Sequence, residues 1–553
     1  VCMLFKKMIL NTKVEIKNIE GFEFLADFQV KKIEKNHKLL KNGDVYFCLV
    51  ENKSFARQRC FEALKKHPKV VVSAFQRDEL FGERSQDNFS FESKKNQEKN
   101  QNEKSVFVKD DRSEVFQEDE TAFVCVSDVR KCFALSNKLL YHGACDKMKI
   151  VGITGTNGKT STSFVIAEVL EKCGKKVGVI GTNGVYICGK KFSCQMTTPD
   201  ADFLHKTFLN MRKVGVEYVV MEVSAHAIDQ NRICGINFDV GVLTNITLDH
   251  LDYFHTFEKY AQTKLDFFKN FNVKFGVFCF DDPTIYFHKN EFQMPYASYA
   301  TTKKCDYFAK NIVFALEKTE FLLQKRIFDE NNDGENDKIN SKNIGLKTKE
   351  KIHPNDGFQQ TKISTKLIGK FNVLNVLASI VVCEKLGLKL SEIKNALEKI
   401  SPIEGRCNVL KCVEKTVVID FAHTPDGLEN LLKTIKAVCD GKIFLVFGCG
   451  GNRDKFKRKI MGEIANDYAD EICLTNDNPR DEDSQKIVEQ IEQGVTKDHF
   501  VELDRKKAIK KMIGLASEKD VVVIAGKGSE NYQEIRGKKK KYSDFDVVKS
   551  LSK

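Results

Sequence analysis

Short runs of β-branched and aliphatic residues alternate with helical patterns along most of the chain, and this alternation restricts the fold more than any other feature. KIVGIT (149–154), KVGVIGT (176–182), EYVVMEVS (217–224) and DVGVLTNI (239–246) each read as a buried strand, with helical spacing between them. Near-continuous apolar strands are those covered on both faces, as in a parallel sheet with helical crossovers. The pattern returns in TVVID (416–420), KIFLVFG (442–448), EICLTND (471–477) and DVVVIAG (520–526), separated by helices such as GLENLLKTIKAV and SQKIVEQIEQ. Two α/β units are therefore expected. SPIEGR (401–406), with Pro402 and Gly405 following the helical LSEIKNALEKI, is the natural hinge between them. Before residue 148 a smaller α/β piece is expected, with GDVYFCLV and KVVVSA as strands.

The chain has 553 residues, enough for roughly three to four domains of ~100–200 residues. The expected division is 1–147, 148–401 and 402–553. Two stretches, about 84–120 and about 329–357, are polar and poor in aliphatics, and read as inserted mobile surface loops. Elsewhere 42% apolar content and 42 Phe supply ample core material. No run approaches the ~18 apolar residues of a spanning helix. The opening VCMLFKKMILNTKVEIKN meets charge too early for a secretory segment. A cytoplasmic protein without membrane insertion is the expectation. The 18 Cys are scattered singly with no CxxC pair, which favours reduced structural thiols over bridges or zinc. The net charge of +12 (89 minus 77) is modest, and the basic GKKKK at 537–541 reads as a solvated face rather than a nucleic-acid element.

Against this background one motif carries specific chemistry. The strand ending at Thr154 runs into Gly155-Thr156-Asn157-Gly158-Lys159-Thr160, and a helical pattern, STSFVIAEVLEKC, follows. Strand, glycine loop and helix are what a phosphate loop needs: backbone N–H groups face the anion, Lys159 reaches the terminal phosphates, and the Thr160 hydroxyl can ligate magnesium. The spacing departs from GxxxxGK[ST], since the residue five before Gly158 is Ile153 and the earlier glycine is Gly152. An NTP site is indicated.

Acidic and imidazole groups follow at strand ends: Glu222, Ser224 and His226 in MEVSAH, then Asp249, His250 and Asp252 in TNITLDHLDYF. Open α/β sheets bind ligands there, and these groups suit a divalent metal shared with nucleotide phosphates. Each alone is as compatible with a structural role. Lys264, in YAQTKLDFF, reads locally as an exposed helix lysine.

Ten ordered motifs over about 148–553 resemble the Mur ligase family: TGTNGKT, TTPD (197–200), MEVSAH, TNITLDHLDYF, YAQTKLDFF, GKFNVLNVLAS (369–379), IDFAHTPDGLE (419–429), FGCGGNRDKFKR (447–458), TNDNPRDED (475–483) and AGKGSENYQ (525–533). The resemblance implies an α/β, three-domain architecture with a phosphate-loop central domain and a Rossmann-like C-terminal domain. It implies an ATP-dependent amide-forming ligase, similar to those that add meso-diaminopimelate to UDP-N-acetylmuramoyl-L-alanyl-D-glutamate in peptidoglycan precursor synthesis, acting as a monomer. Gly155, Thr156, Asn157, Gly158, Lys159 and Thr160 would hold ATP phosphates, and Thr160, Glu222 and His250 would surround Mg2+. Lys264 matches the lysine that the family carbamylates, a carboxylate-like metal ligand, which reverses the local reading. Lys159, Glu222, His250 and Lys264 would form the catalytic group. Asn375 would meet adenine, Arg406 the γ-phosphate and Asp420 the ribose. Thr197, Thr198, Ser224, Gln230 and Arg232 would hold the uridine-linked dipeptide, and Arg453, Asp477, Asn478, Pro479, Arg480, Gly526 and Glu530 the incoming amino acid. The chain departs from the family at Ser529, where His is usual, at Asn452, where Asp is usual, and at Asn36-His37-Lys38, where an Asp-Ser-Arg uridine motif is expected.

The implied chemistry is phosphorylation of the D-glutamyl carboxylate by ATP, attack of the free amine on the acyl phosphate, and expulsion of phosphate. DNPR and GKGxE argue against two related ligases, folylpolyglutamate synthase and the D-Ala-D-Ala-adding enzyme. A basic phosphate-loop protein acting on nucleic acid would explain the loop and the charge but not HTPD, DNPR and Lys264 together. A non-catalytic homologue would share the fold without activity.

Overall fold

The computed structural model describes residues 3–4, 9, 12–20, 29–30, 32–81, 121–194, 196–327 and 357–552. The two expected insertions, apart from Gly357, fall outside these residues. The chain divides into two compact units: Val1–Ala144 with Ala201–Lys206 and Asn231–Cys234, and Cys145–Asp200 with Thr207–Gln230 and Gly235–Lys553.

The first unit holds a five-stranded sheet in the order Ile16–Glu20, Ala122–Val126, Val70–Ser73, Val45–Phe47, Ile33–Glu34. Its first pairing is antiparallel and the others parallel. GDVYFCLV and KVVVSA thus supply two central strands, as their apolar content requires. Helix Val129–Leu140, capped by the Asp128 side chain, packs Phe133 edge-on against Phe47.

Among the described residues the second unit carries two large sheets and two two-stranded ones. Seven parallel strands form the middle of the larger one, in the order Val177–Gly181, Tyr218–Glu222, Lys149–Thr154, Val240–Leu243, Gly276–Cys279, Tyr296–Ala300, Tyr307–Phe314. All four strands expected between 149 and 246 are among them, and their residues are almost wholly buried, which explains their unbroken apolar runs. Chain order reverses around Lys149–Thr154: the next strand lies two places to one side and Val240–Leu243 lies on the other. A crevice opens at such a switch point beyond the carboxyl ends of the strands. Antiparallel strands extend both edges, Gly184–Ile187 and Lys190–Phe192 on one side, Thr319–Arg326 and Phe358–Thr365 on the other.

The smaller sheet runs Asn408–Cys412, Lys415–Asp420, Val521–Ala525, Ile443–Phe447, Glu471–Leu474, Phe500–Val501, parallel except for the first pair. SPIEGR links helix Leu390–Leu397 to its first strand. The Lys538–Lys541 run forms the exposed strand of a hairpin with Tyr532–Ile535. The described cysteines are free and mostly buried.

Candidate functional site

The turn after Thr154 works only with glycine at two places. Gly155 has φ 143° and lies so close to Thr244 Oγ1 that a Cβ has no room. Gly158 has φ 85°, caps helix Lys159–Lys172, and a Cβ on it would sit 2.6 Å from Asn375 Oδ1. L-residues avoid that left-handed region. Asn157 is tied down by its backbone N–H to Asn245 Oδ1 (2.9 Å) and by Nδ2 to Asp426 Oδ2 (2.7 Å). Lys159 Nζ donates to the carbonyls of Gly155 (2.7 Å) and Thr156 (2.8 Å), folding over its own loop.

Glu222 ends the neighbouring strand and is fully buried. Its Oε1 accepts from Thr160 Oγ1 (2.9 Å) and the Thr182 N–H (2.9 Å), and its Oε2 from Thr182 Oγ1 (3.0 Å). Arg406, from the SPIEGR segment, donates through Nη2 to Thr160 Oγ1 (3.0 Å) and lies 4.6 Å over the Phe421 ring. This segment therefore delivers a guanidinium to the phosphate loop. Thr182 was not singled out from sequence; the only signal was its place at the end of KVGVIGT, opposite Glu222.

His250 has φ 55° and its Nε2 lies 3.4 Å from Asp249 Oδ2. Its ring meets His226 edge-on at 5.0 Å. Burial pushes the His250 pKa down to about 4, with His226, Lys159 and Lys264 adding and Asp249 opposing. Burial alone would raise Asp249, but His250, His423 and Lys457 around it outweigh that and hold its carboxyl low. Lys264 is 1% exposed in helix Phe257–Asn270, with Nζ 4.5 Å over the Tyr260 ring, so the local expectation of an exposed helix lysine is corrected. The helix turns this face inward, packing Tyr260, Leu265, Phe267 and Phe268 beside it. Among the described residues Lys264 has no ion-pair partner. Burial, then Lys159, drives its pKa far below the ordinary lysine value against a weaker pull from Asp249.

From the smaller sheet, site residues follow the carboxyl ends of the parallel strands. Asp477 Oδ1 accepts the Asn478 N–H (2.7 Å), and a Cβ on Gly526 (φ 113°) would lie 2.8 Å from Asp477 Oδ2. Asn478 donates through Nδ2 to Glu530 Oε2 (2.9 Å) and accepts at Oδ1 from the Glu534 N–H (2.9 Å). Arg480 adopts φ 51° and is locked by its N–H to the Glu534 carbonyl (3.1 Å) and its own carbonyl to the Arg536 N–H (2.7 Å). Its Nη1 donates to the Gly451 carbonyl (2.7 Å) and its Nε lies 3.3 Å from Glu534 Oε2, which leaves the Nη2 side of the fork.

One cavity of about 580 Å³ joins these groups. Of the expected residues it is lined by Thr156, Asn157, Gly158, Lys159, Thr160, Thr197, Glu222, Ser224, Asp249, His250, Asp252, Lys264, Arg406, Arg453, Asp477, Asn478, Arg480, Gly526 and Glu530. Others are not among its lining residues. Thr198 donates through Oγ1 to the Glu222 carbonyl (2.8 Å) and accepts the Ser224 N–H (2.9 Å), clamping TTPD to the strand. Asn375 accepts from Thr162 Oγ1 (3.1 Å) beneath the loop. Asp420 accepts the N–H groups of Cys407 and Ala422, each at 2.6 Å, and burial raises its pKa. Pro479 accepts the Glu482 N–H (3.0 Å), and Gln230 Nε2 donates to Tyr253 Oη (3.2 Å). Arg232 belongs to the first compact unit. Asn183, Lys191, Lys457 and Lys539 also line the cavity and were not anticipated; lysines carry too little local signal to be picked out.

Among the described residues no three His, Cys, Asp or Glu side chains gather as a metal cluster. Glu222 and His250 are two such groups, and the Thr160 hydroxyl adds an oxygen 2.9 Å from Glu222.

Fold and cavity together define a phosphate-loop α/β protein whose loop shares one cavity with residues of a second, mostly parallel sheet. The chain belongs to the Mur ligase family: the Mur ligase middle domain matches residues 153–383, and the Mur ligase, glutamate ligase domain matches 405–528. It is similar to a UDP-N-acetylmuramoyl-L-alanyl-D-glutamate--2,6-diaminopimelate ligase of Clostridium tetani, 38% identical over 81% of this chain and 86% of the relative. The ligase of the same name from Clostridium perfringens is 37% identical over 99% of both chains. Among solved structures, a UDP-N-acetylmuramoyl-L-alanyl-D-glutamate--2,6-diaminopimelate ligase superposes with a TM-score of 0.62 at 26% identity, over 100% of this chain and 99% of that one. The MurF ligase of Thermotoga maritima, in complex with ADP, shares the fold with a TM-score of 0.56 at 19% identity, over 95% and 97% of the two chains.

Proposed function

We propose that this protein is the ATP-dependent ligase that joins meso-diaminopimelate to UDP-N-acetylmuramoyl-L-alanyl-D-glutamate, a cytoplasmic, monomeric enzyme of peptidoglycan precursor synthesis. The observation that carries the reading is the single cavity in which Lys159, Thr160, Glu222, Lys264 and Arg406 meet Asp477, Asn478, Arg480 and Glu530. The first group suits a triphosphate and the second a zwitterionic amino acid, so the amine can arrive where the phosphate is transferred. The names of the relatives point the same way. We divide the chain functionally as 1–147 for the uridine nucleotide, 148–401 for ATP and 402–553 for the amino acid.

The phosphate loop would cradle ATP through Gly155–Thr160, with Asn375 and Asp420 shaping the base and ribose ends from behind. Lys159 and Arg406 flank Thr160 and place two cations where negative charge builds during phosphoryl transfer. Thr197, Thr198, Ser224, Gln230 and Arg232 would serve the dipeptide nucleotide, and Arg453 and Gly526 the amino acid. Thr160 and Glu222 are close enough to share one ion, with His250 and Lys264 completing the set, and these mainly oxygen donors fit Mg2+ once Lys264 carries a carbamate. When bound, the metal would neutralise phosphate oxygens. Carbamylation needs a neutral amine, and burial, which drives the Lys264 pKa well below the ordinary lysine value, favours that form. The D-glutamyl carboxylate takes the γ-phosphoryl group, the incoming amine attacks the acyl carbon, and phosphate leaves.

The test is ADP release with purified full-length protein, the dipeptide nucleotide and a panel of amino acids. Release that requires both the nucleotide and meso-diaminopimelate, with a tripeptide product by mass, is expected. ATP hydrolysis indifferent to both substrates would overturn the reading.

A further inference from the structure

Behind the cavity wall lies a cation outside the expected site set. Lys527 is 0% exposed and does not line the cavity, although its neighbours Gly526, Glu530 and Tyr532 do. Its Nζ donates to Glu530 Oε2 (2.7 Å) and to Asn478 Oδ1 (3.1 Å), and stands 5.7 Å over the Tyr532 ring. A buried ammonium needs such partners, and they in turn are held by it. The bonds account for almost every atom of the two cavity residues. Asn478 Oδ1 is taken by Lys527 and by the Glu534 N–H, so the amide can point only one way, with Nδ2 toward Glu530 Oε2. Glu530 Oε2 thus receives both Lys527 and Asn478, and Oε1 alone is left to face the cavity.

We propose that Lys527 is a positioning residue of the amino-acid site, holding Glu530 Oε2 and Asn478 Oδ1 so that Glu530 Oε1 is the carboxylate oxygen presented to the substrate ammonium. The inference rests on the reading above. Lys527 never touches the amino acid; it acts through Glu530. Without it Glu530 loses its cation and Oε2 keeps only the Asn478 Nδ2 bond, so the carboxylate can turn.

Kinetics on the full-length enzyme test this in a double-mutant cycle of Lys527→Met and Glu530→Gln. Lys527→Met should raise KM for meso-diaminopimelate by about 10- to 100-fold, the weight of hydrogen bonds to a charged group, with KM for ATP unchanged. In the Glu530→Gln background, where no unpaired carboxylate threatens folding, Lys527→Met should add less than about 3-fold, because the two act as one unit. A Lys527→Met enzyme with unchanged KM for the amino acid, a parallel rise in KM for ATP, or full additivity in the cycle would each overturn the assignment. If the unmodified enzyme ignores meso-diaminopimelate, the functional reading itself falls, and this inference with it.

Discussion

The least conspicuous lysine of the sequence carries the strongest claim at the scale of single residues. Lys264 sits in an amphipathic helix with nothing local to mark it, and the resemblance to a family, not its spacing, drew attention to it; its burial is visible only in the fold. We expect Lys264→Ala to abolish ligation while nucleotide binding and the thermal transition persist, since on the proposed reading a carboxylate-like ligand would be lost where the acyl phosphate forms. Near-normal turnover in that variant, or intact protein mass with no carbamate in bicarbonate buffer, would contradict it. The glycines were readable from sequence because a glycine turn between strand and helix is a local pattern, although the neighbours that crowd them are distant in the chain. Gly158→Ala combines a left-handed φ with the 2.6 Å approach to Asn375 Oδ1. It should strain the loop by about 1–3 kcal/mol, and ATP titration should show weakened binding. Undiminished affinity would show that the loop tolerates a Cβ. Thr198 and Asn375 teach the opposite lesson: a motif names a residue, but only the hydrogen bonds reveal that its side chain is occupied in holding the wall.

At the scale of elements, the buried parallel strands were legible because burial on both faces leaves a continuous apolar run. The antiparallel edge of the large sheet was not. Thr319–Arg326 and Phe358–Thr365 alternate buried or half-buried with more exposed residues and carry Lys, Gln and Glu outward, so they lack that run. Two buried arginines brace the smaller sheet and its loops. Arg505 and Asp544 pair at 2.9 Å with both side chains 0% exposed, and Arg505 also donates to the Ala525 carbonyl (2.9 Å) at a strand end. Arg505→Met leaves Asp544 buried and unpaired, which should cost about 3–5 kcal/mol in chemical denaturation; a loss under about 1 kcal/mol would refute the bracing role. Arg458 donates to both oxygens of Glu482 and to the Gly450 carbonyl. Its hydrogen bonds hold the Glu482 pKa below the usual 4.5. A depressed carboxyl contributes stability that is present above the unfolded pKa and is lost as pH falls through the folded one. Glu482→Gln should therefore flatten the acid side of the stability profile between about pH 5 and 3; an unchanged slope there would dismiss the pair as a pH-dependent brace.

At the scale of the whole molecule, the SPIEGR segment is marked in sequence by its Pro and Gly, but the contacts it makes are not. Only the fold shows that Arg406 reaches Thr160 at 3.0 Å, or that Asn157 reaches Asp426 at 2.7 Å across 269 positions of sequence. Non-local contacts of this kind have no periodicity to betray them. They join the phosphate loop to the second sheet and make a two-substrate reaction geometrically possible. The choice of amino acid is the most direct test of the central claim. Compared with L-lysine, meso-diaminopimelate carries a further carboxylate, for which, on the proposed reading, the Nη2 side of Arg480 would be the matching donor. Leaving that guanidinium unpaired disfavours lysine strongly in a closed site. Measured as kcat/KM in the presence of ATP and the dipeptide nucleotide, meso-diaminopimelate should exceed L-lysine by at least ~100-fold, and Arg480→Ala should lose most of that ratio. Equal use of the two amino acids by the unmodified enzyme, or undiminished discrimination in Arg480→Ala, would contradict the account.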